Sequence, residues 1–283
     1  MGNEDAAMSG RVCLVTGATS GIGKEIAAGL ARMGAAVVIV GRDRSKCKAA
    51  ALEIGNGENE KISYLVADLS SQAEVRRLAG EFLDRHSRLH VLVNNAGVFA
   101  ARRAETVDGI EVTFAVNHLA PFMLTALLAK ALAADSRVVT TSSVAHRGAQ
   151  IDFDDIEFQK RPYSGIKAYS QSKLANILFT RELARRLPAG VLANCFHPGA
   201  VRTNLVRNGM YGAVWSAAGP FMASPQKGAD TGIHLASSPE VTATGKYFVK
   251  RREEQPSGAA MDDSAAKRLW ELSEKTTNVG VTL

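Results

Sequence analysis

The stretch Thr16-Gly17-Ala18-Thr19-Ser20-Gly21-Ile22-Gly23 links a short apolar run at 11–15 to a segment in which Ile22, Ile26 and Leu30 recur at helical spacing. A glycine motif between a strand and a helix is more specific than glycines alone. The glycines let a backbone approach a pyrophosphate closely, and the helix start adds free N–H groups and a positive dipole end. The stretch therefore predicts a dinucleotide-binding turn; the alternative is a glycine-rich turn that serves packing alone.

Outward from this turn, apolar strand-like runs alternate with helical patterns along all 283 residues. This alternation predicts a parallel sheet with helices on both faces, an α/β fold of the doubly wound Rossmann type. Hydrophobic residues make up 46% of the chain, enough for a full core. Without a linker or repeat in the sequence, we expect a single domain over 10–276, a flexible N-terminal tail over 1–9 and a C-terminal tail over 277–283.

The chain carries a net charge of +6. Its Lys and Arg are scattered among Asp and Glu, which favours a solvated surface over a nucleic-acid interface, although the positive sign would help an anionic cofactor. Cys13, Cys47 and Cys195 lie far apart and the histidines are dispersed, so no metal-ligand pattern is present. We expect free or buried thiols in a reducing compartment, and no metal.

Two features bear on location. The first nine residues lack the basic and apolar regions of a signal peptide. The longest apolar stretch, Leu119 to Ala134, contains Pro121 and Lys130 and is too short to span a bilayer. We therefore expect a cytoplasmic protein without a transmembrane anchor.

The end of the second predicted strand, Ala36 to Val40, bears on which dinucleotide binds. An acidic residue here would hold the adenosine ribose hydroxyls of NAD. The sequence has Gly41 at this place and Arg42 next, and a guanidinium can bind a ribose 2′-phosphate through two parallel hydrogen bonds. This favours NADP(H) over NAD(H). The alternatives are Arg42 as an ordinary surface arginine and Asp43 as a displaced ribose ligand.

Later strand ends carry further polar motifs. Asp68 ends the third predicted strand, Asn94-Asn95-Ala96-Gly97 ends the fourth, and the serines at 142–143 end the fifth. Carboxyl ends of parallel strands form the ligand-binding edge of such a sheet. Downstream, Tyr169 and Lys173 share one helix face at a spacing of four residues. An ammonium near a phenol lowers the phenol pKa, so this pair is predicted to perform acid/base chemistry.

In this order the motifs resemble the short-chain dehydrogenase/reductase family, whose cofactor loop has the Gly-x-x-x-Gly-x-Gly spacing found at 17–23. The resemblance runs from Thr16 to Thr203 and continues toward the last predicted helix. Within the family the chain is most similar to the retinol dehydrogenase-like branch, through Ser-Ser-Val-Ala-His (142–146), Ser-Lys-Leu-Ala-Asn (172–176), His-Pro-Gly (197–199) and Gly-Lys-Tyr-Phe (245–248). Membrane-bound members of that branch carry an apolar N-terminal anchor, which the first residues here do not resemble, and this weakens retinol itself as the expected substrate.

The resemblance implies a catalytic set of Asn117, Ser143, Tyr169 and Lys173. Ser143 would orient the substrate oxygen, with Ser142 in its place if the strand register differs by one residue. Asn117 would kink its helix and help to relay protons through water. Lys173 would lower the Tyr169 pKa and hold the nicotinamide ribose.

The resemblance also implies a larger cofactor-binding set. Asp68 and Leu69 would meet the adenine, unless Asp68 only forms a turn, and Thr203 would bind the nicotinamide carboxamide. The implied residues are Gly17, Thr19, Ser20, Gly21, Ile22, Gly23, Arg42, Asp68, Leu69, Asn95, Ala96, Gly97, Tyr169, Lys173, Pro198, Val201 and Thr203.

The expected activity is NADP(H)-dependent interconversion of an apolar aldehyde or ketone and its alcohol. Alternatives are a reductase of a conjugated double bond and an NADP-sensing regulatory protein, while nucleic-acid binding is least favoured. Residues 204–227, apolar yet turn-rich, are predicted to form a substrate lid, with ordinary surface packing as the alternative. The helices predicted at 111–132 and 168–187 could pair two subunits of a homodimer or pack only on the sheet.

Overall fold

The computed structural model describes residues 7–57, 61–201 and 223–280. Within these ranges the centre is an eight-stranded sheet. Its strands are β1 (Val12–Thr16), β2 (Ala36–Gly41), β3 (Ile62–Val66), β4 (Leu89–Asn94), β5 (Leu132–Thr141), β6 (Leu192–His197), β7 (Tyr247–Val249) and β8 (Arg252–Glu253). The spatial order is β3-β2-β1-β4-β5-β6-β7-β8; β1 to β7 run parallel, and β8 pairs antiparallel with β7.

Helices cover both faces of the sheet. They are α1 (Gly21–Arg32), α2 (Arg44–Ile54), α3 (Gln72–Arg85), α4, α5 (Gly165–Arg186), α6 (Pro225–Ser237) and α7 (Asp263–Thr277). Helix α4 consists of three consecutive segments, Val112–Phe114, Ala115–Leu119 and Ala120–Leu128, of which the middle one is π-helical.

Two apolar layers sandwich the sheet, because successive side chains of a strand point to opposite faces. In β1, Leu14 packs in the layer that contains Phe82, while Val15 packs in the layer that contains Ile26. All four side chains are fully buried. The predicted doubly wound α/β fold is therefore confirmed.

The chain order reverses at the centre of the sheet. From β1 the chain moves outward to β2 and β3 and then returns to β4 on the other side of β1. The carboxyl ends of β1 and β4 flank the crevice where ligands bind in such sheets. The glycine turn follows β1 and the segment 95–97 follows β4, so the fold brings these two motifs together.

The last helix packs against α4 and α5, the two helices considered for subunit pairing, and pairing itself stays a prediction. The Trp270 ring on α7 packs edge-on against Phe122 at 5.0 Å between ring centres and stacks on Phe179 at 6.0 Å. Trp270 is 2% exposed, and Val279, within the predicted C-terminal tail, is also buried. The surface around Phe122 and Phe179 is thus covered within the chain itself.

Helix α6 was not predicted, and its first turn overlaps the end of the predicted lid at 225–227. A Cβ at Gly232 would lie 2.7 Å from the Cδ1 of Ile26, so glycine lets α6 pack closely on α1. This contact outweighs the low helix propensity of glycine. Strand β5 begins at Leu132 and ends at Thr141, one residue before the serines that were predicted to end it. Residues 204–222 of the predicted lid lie outside the described ranges.

Three compositional expectations can be compared with the fold. The cysteines are free and buried, as predicted. In the described ranges no group of three or more His, Cys, Asp or Glu residues could hold a metal ion. One helical stretch there, Val112–Ala131, is long and apolar enough to cross a membrane, but 89% of its most apolar window is buried in the fold, as in the core helix of a globular protein.

Candidate active site

The glycine turn after β1 is shaped by close backbone approaches. Gly17 and Gly21 have φ angles of 65° and 59°, a conformation that favours glycine. A Cβ at Gly17 would lie 2.8 Å from the Cα of Ala96, and one at Gly23 would overlap the Asn95 side chain. The turn and its contact with the segment after β4 therefore both depend on glycine.

The start of α1 keeps free backbone N–H groups. Ser20 stands at the N-cap, but its side chain makes no capping hydrogen bond, and the first turn contains no acidic residue. Helices α2, α3, α5, α6 and α7 each begin with a side chain that caps them. Uncapped N–H groups at a positive dipole end suit a phosphate. The turn formed by residues 17–23 thus fits the pyrophosphate of a dinucleotide.

Thr16 joins the glycine turn to the segment after β4, a role that the sequence reasoning missed. Its buried hydroxyl accepts hydrogen bonds from the backbone N–H groups of Asn95 at 3.0 Å and Ala96 at 3.1 Å. The Asn95 Nδ2 donates to the carbonyls of Thr16 and Gly17, at 3.0 and 3.3 Å. The two predicted cofactor-binding segments are therefore one hydrogen-bonded unit.

Gly41 ends β2 at a point that has no room for a side chain. A Cβ here would overlap the Cγ2 of Thr19 and lie 2.9 Å from the Sγ of Cys47. Arg42, the next residue, is exposed. Asp43 caps α2 by accepting a hydrogen bond from a first-turn backbone N–H at 3.0 Å, so its carboxylate already has a structural partner. Arg42 and Asp43 are both exposed beside the strand end, and the Asp43 carboxylate is engaged as the helix cap.

Asp68 and Leu69 follow β3 at the same edge of the sheet. One carboxylate oxygen of Asp68 accepts hydrogen bonds from the backbone N–H and the hydroxyl of Ser70, at 2.9 and 2.8 Å. Leu69 is half-buried against the core. Asp68 therefore forms the turn before α3, and the contact of both residues with adenine stays a prediction.

Ser143 and Tyr169 meet just beyond the end of β5. The Ser143 hydroxyl lies beside the phenol of Tyr169, whose pKa it lowers as a hydrogen-bond partner, and it accepts from the backbone N–H of Ala145 at 3.2 Å. Ser142 is buried, and its hydroxyl donates to the backbone carbonyl of Lys173 at 2.7 Å. The serine beside the phenol is thus Ser143 and not Ser142.

Lys173 lies one turn after Tyr169 on α5, and its Nζ is 5.5 Å from the centre of the phenol ring. The Nζ donates to the carbonyl of Thr141 at 3.1 Å, and the Asn176 side chain donates to the same carbonyl at 3.1 Å. A Cβ at Gly97 would lie 3.6 Å from this Nζ. The ammonium is therefore held between the end of β5, the phenol and the segment after β4.

Burial shifts the pKa values of the phenol and of the ammonium in opposite directions. Burial raises the pKa of Tyr169 to about 12, and the hydrogen bond from Ser143 offsets only part of this rise. Burial also lowers the pKa of Lys173 to about 8. Desolvation is the largest cause of the shift in the Tyr169 pKa, and the lowering of this pKa by Lys173 stays a prediction. At neutral pH the phenol is protonated and can donate its proton.

Asn117 lies in the π-helical middle segment of α4 and is fully buried. Its Oδ1 accepts from the Val98 N–H at 2.7 Å, and its Nδ2 donates to the Val98 carbonyl and the Ser172 hydroxyl, each at 3.0 Å. The helix thus departs from α geometry at this residue, and the amide ties the segment after β4 to α5. Proton relay through Asn117 stays a prediction.

The remaining predicted residues follow β6. Pro198 is half-buried, and Val201 is buried and pairs with Ala223 in a short parallel bridge. Thr203 lies outside the described residues. The contacts of these three residues with a nicotinamide stay predictions.

Comparison with known proteins agrees with this geometry. Residues 11–210 match the family described as short chain dehydrogenase. The chain belongs to the short-chain dehydrogenase family. Human retinol dehydrogenase 13 is 41% identical over 282 residues, which cover 95% of this chain and 85% of that protein. A protein of Streptomyces sp. (strain C5), whose name proposes a daunorubicin C-13 ketoreductase activity, is 41% identical over 273 residues, 96% of this chain and 94% of its own.

Solved structures of short-chain dehydrogenases share the fold. A protein from Mycobacterium paratuberculosis has a TM-score of 0.81 and 37% identity, and the match covers 97% of this chain and 96% of that chain. A short chain dehydrogenase from Burkholderia cenocepacia in complex with NADP has a TM-score of 0.70 and 26% identity, over 90% of this chain and 100% of that chain. The predicted family and its retinol dehydrogenase-like branch are therefore confirmed.

Proposed function

We propose that this short-chain dehydrogenase interconverts an apolar aldehyde or ketone and its alcohol, with NADP(H) as the cofactor. The observation that carries the proposal is the contact between Ser143 and Tyr169 at the carboxyl edge of the sheet, with Lys173 behind the phenol. These groups lie beside the segment 95–97, which is bonded to the glycine turn. This arrangement supports an acid/base role for Tyr169 and Ser143 beside a dinucleotide-binding turn.

In the reducing direction Tyr169 donates its phenolic proton to the carbonyl oxygen, and in oxidation its phenolate takes the proton from the alcohol. A bound nicotinamide supplies or accepts the hydride. The raised pKa of Tyr169, about 12, keeps the phenol in the form that reduction requires. Ser143 orients the oxygen and stabilises the phenolate by its hydrogen bond, and the Lys173 ammonium adds a positive charge beside it.

The end of β2 supports NADP(H) over NAD(H). A ribose-binding acid at Gly41 would need a Cβ where Thr19 and Cys47 already lie. Asp43 is used as the cap of α2. The exposed Arg42 guanidinium suits a 2′-phosphate.

Exposed apolar side chains close in sequence to Ser143 and Tyr169 support an apolar substrate. Val144 follows Ser143 and is 48% exposed, and Ile166, one turn before Tyr169 on α5, is 52% exposed. The ring of Phe99 lies 6.0 Å from that of Tyr169. The names of the relatives, retinol dehydrogenases and an anthracycline ketoreductase, agree with a substrate of this class. A cytoplasmic location stays a prediction that fractionation of the host would test.

Deuterium transfer from NADPH labelled at C4 tests the reaction. A panel of apolar aldehydes, ketones and conjugated enones is incubated with the protein, and the products are analysed by mass spectrometry and NMR. The proposal expects one deuterium on the carbinol carbon. Label on a former alkene carbon would instead show reduction of a double bond, and tight NADPH binding without any labelled product would favour a sensor.

A further inference from the structure

Two histidines that the proposed chemistry does not use contact the peptide group that follows the catalytic serine. The Nδ1 of His146 lies 2.6 Å from the Ser143 carbonyl oxygen. The Nδ1 of His197 accepts a hydrogen bond from the Val144 N–H at 3.2 Å. The carbonyl and the N–H belong to the same peptide group, so one imidazole binds each end of it.

The contacts of the two rings require opposite tautomers. A carbonyl can only accept, so the Nδ1 of His146 carries the proton, and its Nε2 is left to accept from the Ser257 N–H at 3.1 Å. The Nδ1 of His197 accepts from Val144 and therefore carries no proton. Both rings are neutral in this arrangement, and protonation of either would place two donors face to face.

Resting on the function proposed above, we propose that His146 and His197 are positioning residues that set the orientation of the Ser143 hydroxyl. This hydroxyl accepts from the Ala145 N–H at 3.2 Å, two residues along the same turn. With one lone pair of the oxygen used in this way, the single hydroxyl proton can point to Tyr169, beside which Ser143 lies. If the peptide between Ser143 and Val144 rotates, the turn moves with it and this alignment is lost. We call His146 and His197 the serine clamp.

The clamp also connects the serine to the edge of the sheet. His146 is fully buried, and its ring packs edge-on against Tyr247 of β7 at 5.0 Å. Arg147 donates to Glu254 at 3.2 Å and to the carbonyl of Gln255 at 3.1 Å. The segment that follows β8 therefore contacts the turn containing Ser143 through Arg147.

Within the described residues, two charged side chains act on the clamp. Burial lowers the pKa of both histidines, and the groups that act on them electrostatically are Arg147, Glu254 and, for His197, the other histidine. Both rings accordingly stay neutral below the ordinary histidine pKa, and the clamp is intact at neutral pH.

Histidine tautomers measured by long-range 1H–15N NMR test the clamp without any assay of activity. At pH 7.5, His146 is expected as the Nδ1–H tautomer and His197 as the Nε2–H tautomer, with assignments from His146→Asn and His197→Asn. The reverse tautomer at either ring, or a protonated His197 Nδ1, would overturn the proposal. This readout holds even if no carbonyl substrate is turned over, so failure of the clamp and failure of the proposed function remain distinguishable.

A double-mutant cycle tests the effect on catalysis. His146→Phe keeps the ring and its packing on Tyr247 but loses both hydrogen bonds, and should lower kcat by about 10- to 100-fold, the scale of a misplaced reacting group. His146→Asn keeps a donor near the Nδ1 position and should recover part of that loss. His234→Gln, at a half-buried histidine on α6, is the control and should leave kcat unchanged. In a Ser143→Ala background, His146→Phe should change kcat less than about twofold, because the clamp acts through Ser143. Equal fractional losses in both backgrounds would show that His146 acts only through general stability.

Discussion

Replacing Gly41 by alanine tests whether the end of β2 is closed to side chains. The new Cβ would overlap the Cγ2 of Thr19 and lie 2.9 Å from the Sγ of Cys47, so both neighbours must move. Overpacking of this kind costs about 1–3 kcal/mol. For a chain of this size that corresponds to a loss of roughly 2–5 °C in melting temperature, which thermal unfolding measures directly.

The matched background is Thr19→Ser, which removes the obstructing methyl group and keeps the hydroxyl. Gly41→Ala should then cost less, since one of the two crowded atoms is gone, and the difference between the two backgrounds gives the coupling. An unchanged melting temperature for Gly41→Ala, or an equal loss in both backgrounds, would refute the steric reasoning. Either result would also remove the structural explanation for the absence of a ribose-binding acid at position 41.

Three further predictions concern the cofactor, the serines and pH. Arg42→Gln should raise the Kd for NADPH by about 10- to 100-fold, the effect of losing one hydrogen bond to a charged group, and should leave the Kd for NADH nearly unchanged. An equal rise in both Kd values, or the same rise in the remote control Arg88→Gln, would contradict the role of Arg42 in binding the 2′-phosphate. Ser143→Ala should lower kcat by about 10²- to 10³-fold, whereas Ser142→Ala should mainly lower stability, by about 0.5–1.5 kcal/mol, because it removes one buried hydrogen bond to the Lys173 carbonyl; the reverse pattern would exchange their roles. Burial lowers the pKa of His118 to about 3, below the unfolded value of about 6.5. Its contribution to stability is therefore full above pH 6.5 and is lost as the pH falls toward 3. Between pH 7.5 and pH 4 the melting temperature should fall less steeply for His118→Phe than for the wild type, and an equal fall in both would disprove this.

Much of the site could be predicted because it depends on local chain geometry. The glycines at 17–23 and the four-residue spacing of Tyr169 and Lys173 place their groups whatever the rest of the fold does. The strand ends that carry Asn95 and Ser143 were also predictable, since parallel strands share one ligand-binding edge.

Contacts between distant segments could not be predicted. The pKa of Tyr169 depends on how deeply the phenol is buried, and a sequence does not contain that quantity. His146 and His197 stood in the motifs that indicated the family, but their shared peptide partner exists only after β5 and β6 are paired. Nothing in either motif alone indicates that partner.

Helix α6 shows that helix propensity alone does not predict every helix of this fold. Ser224 and Pro225 are an ordinary helix-start signal, yet two glycines in the segment weaken the prediction. The glycines become favourable only against α1, where Gly232 meets Ile26. Tertiary packing therefore decides this element.

The central claim is that Tyr169 is the proton donor of an NADPH-dependent carbonyl reductase. The measurement that tests it most directly is NADPH oxidation with apolar aldehydes and ketones, by the wild-type chain and by Tyr169→Phe, with NADPH affinity measured for both. The account predicts turnover by the wild type, a loss of about 10²- to 10⁴-fold in kcat for Tyr169→Phe, and similar NADPH affinity. Equal turnover by the two proteins, or no binding of NADPH, would contradict it.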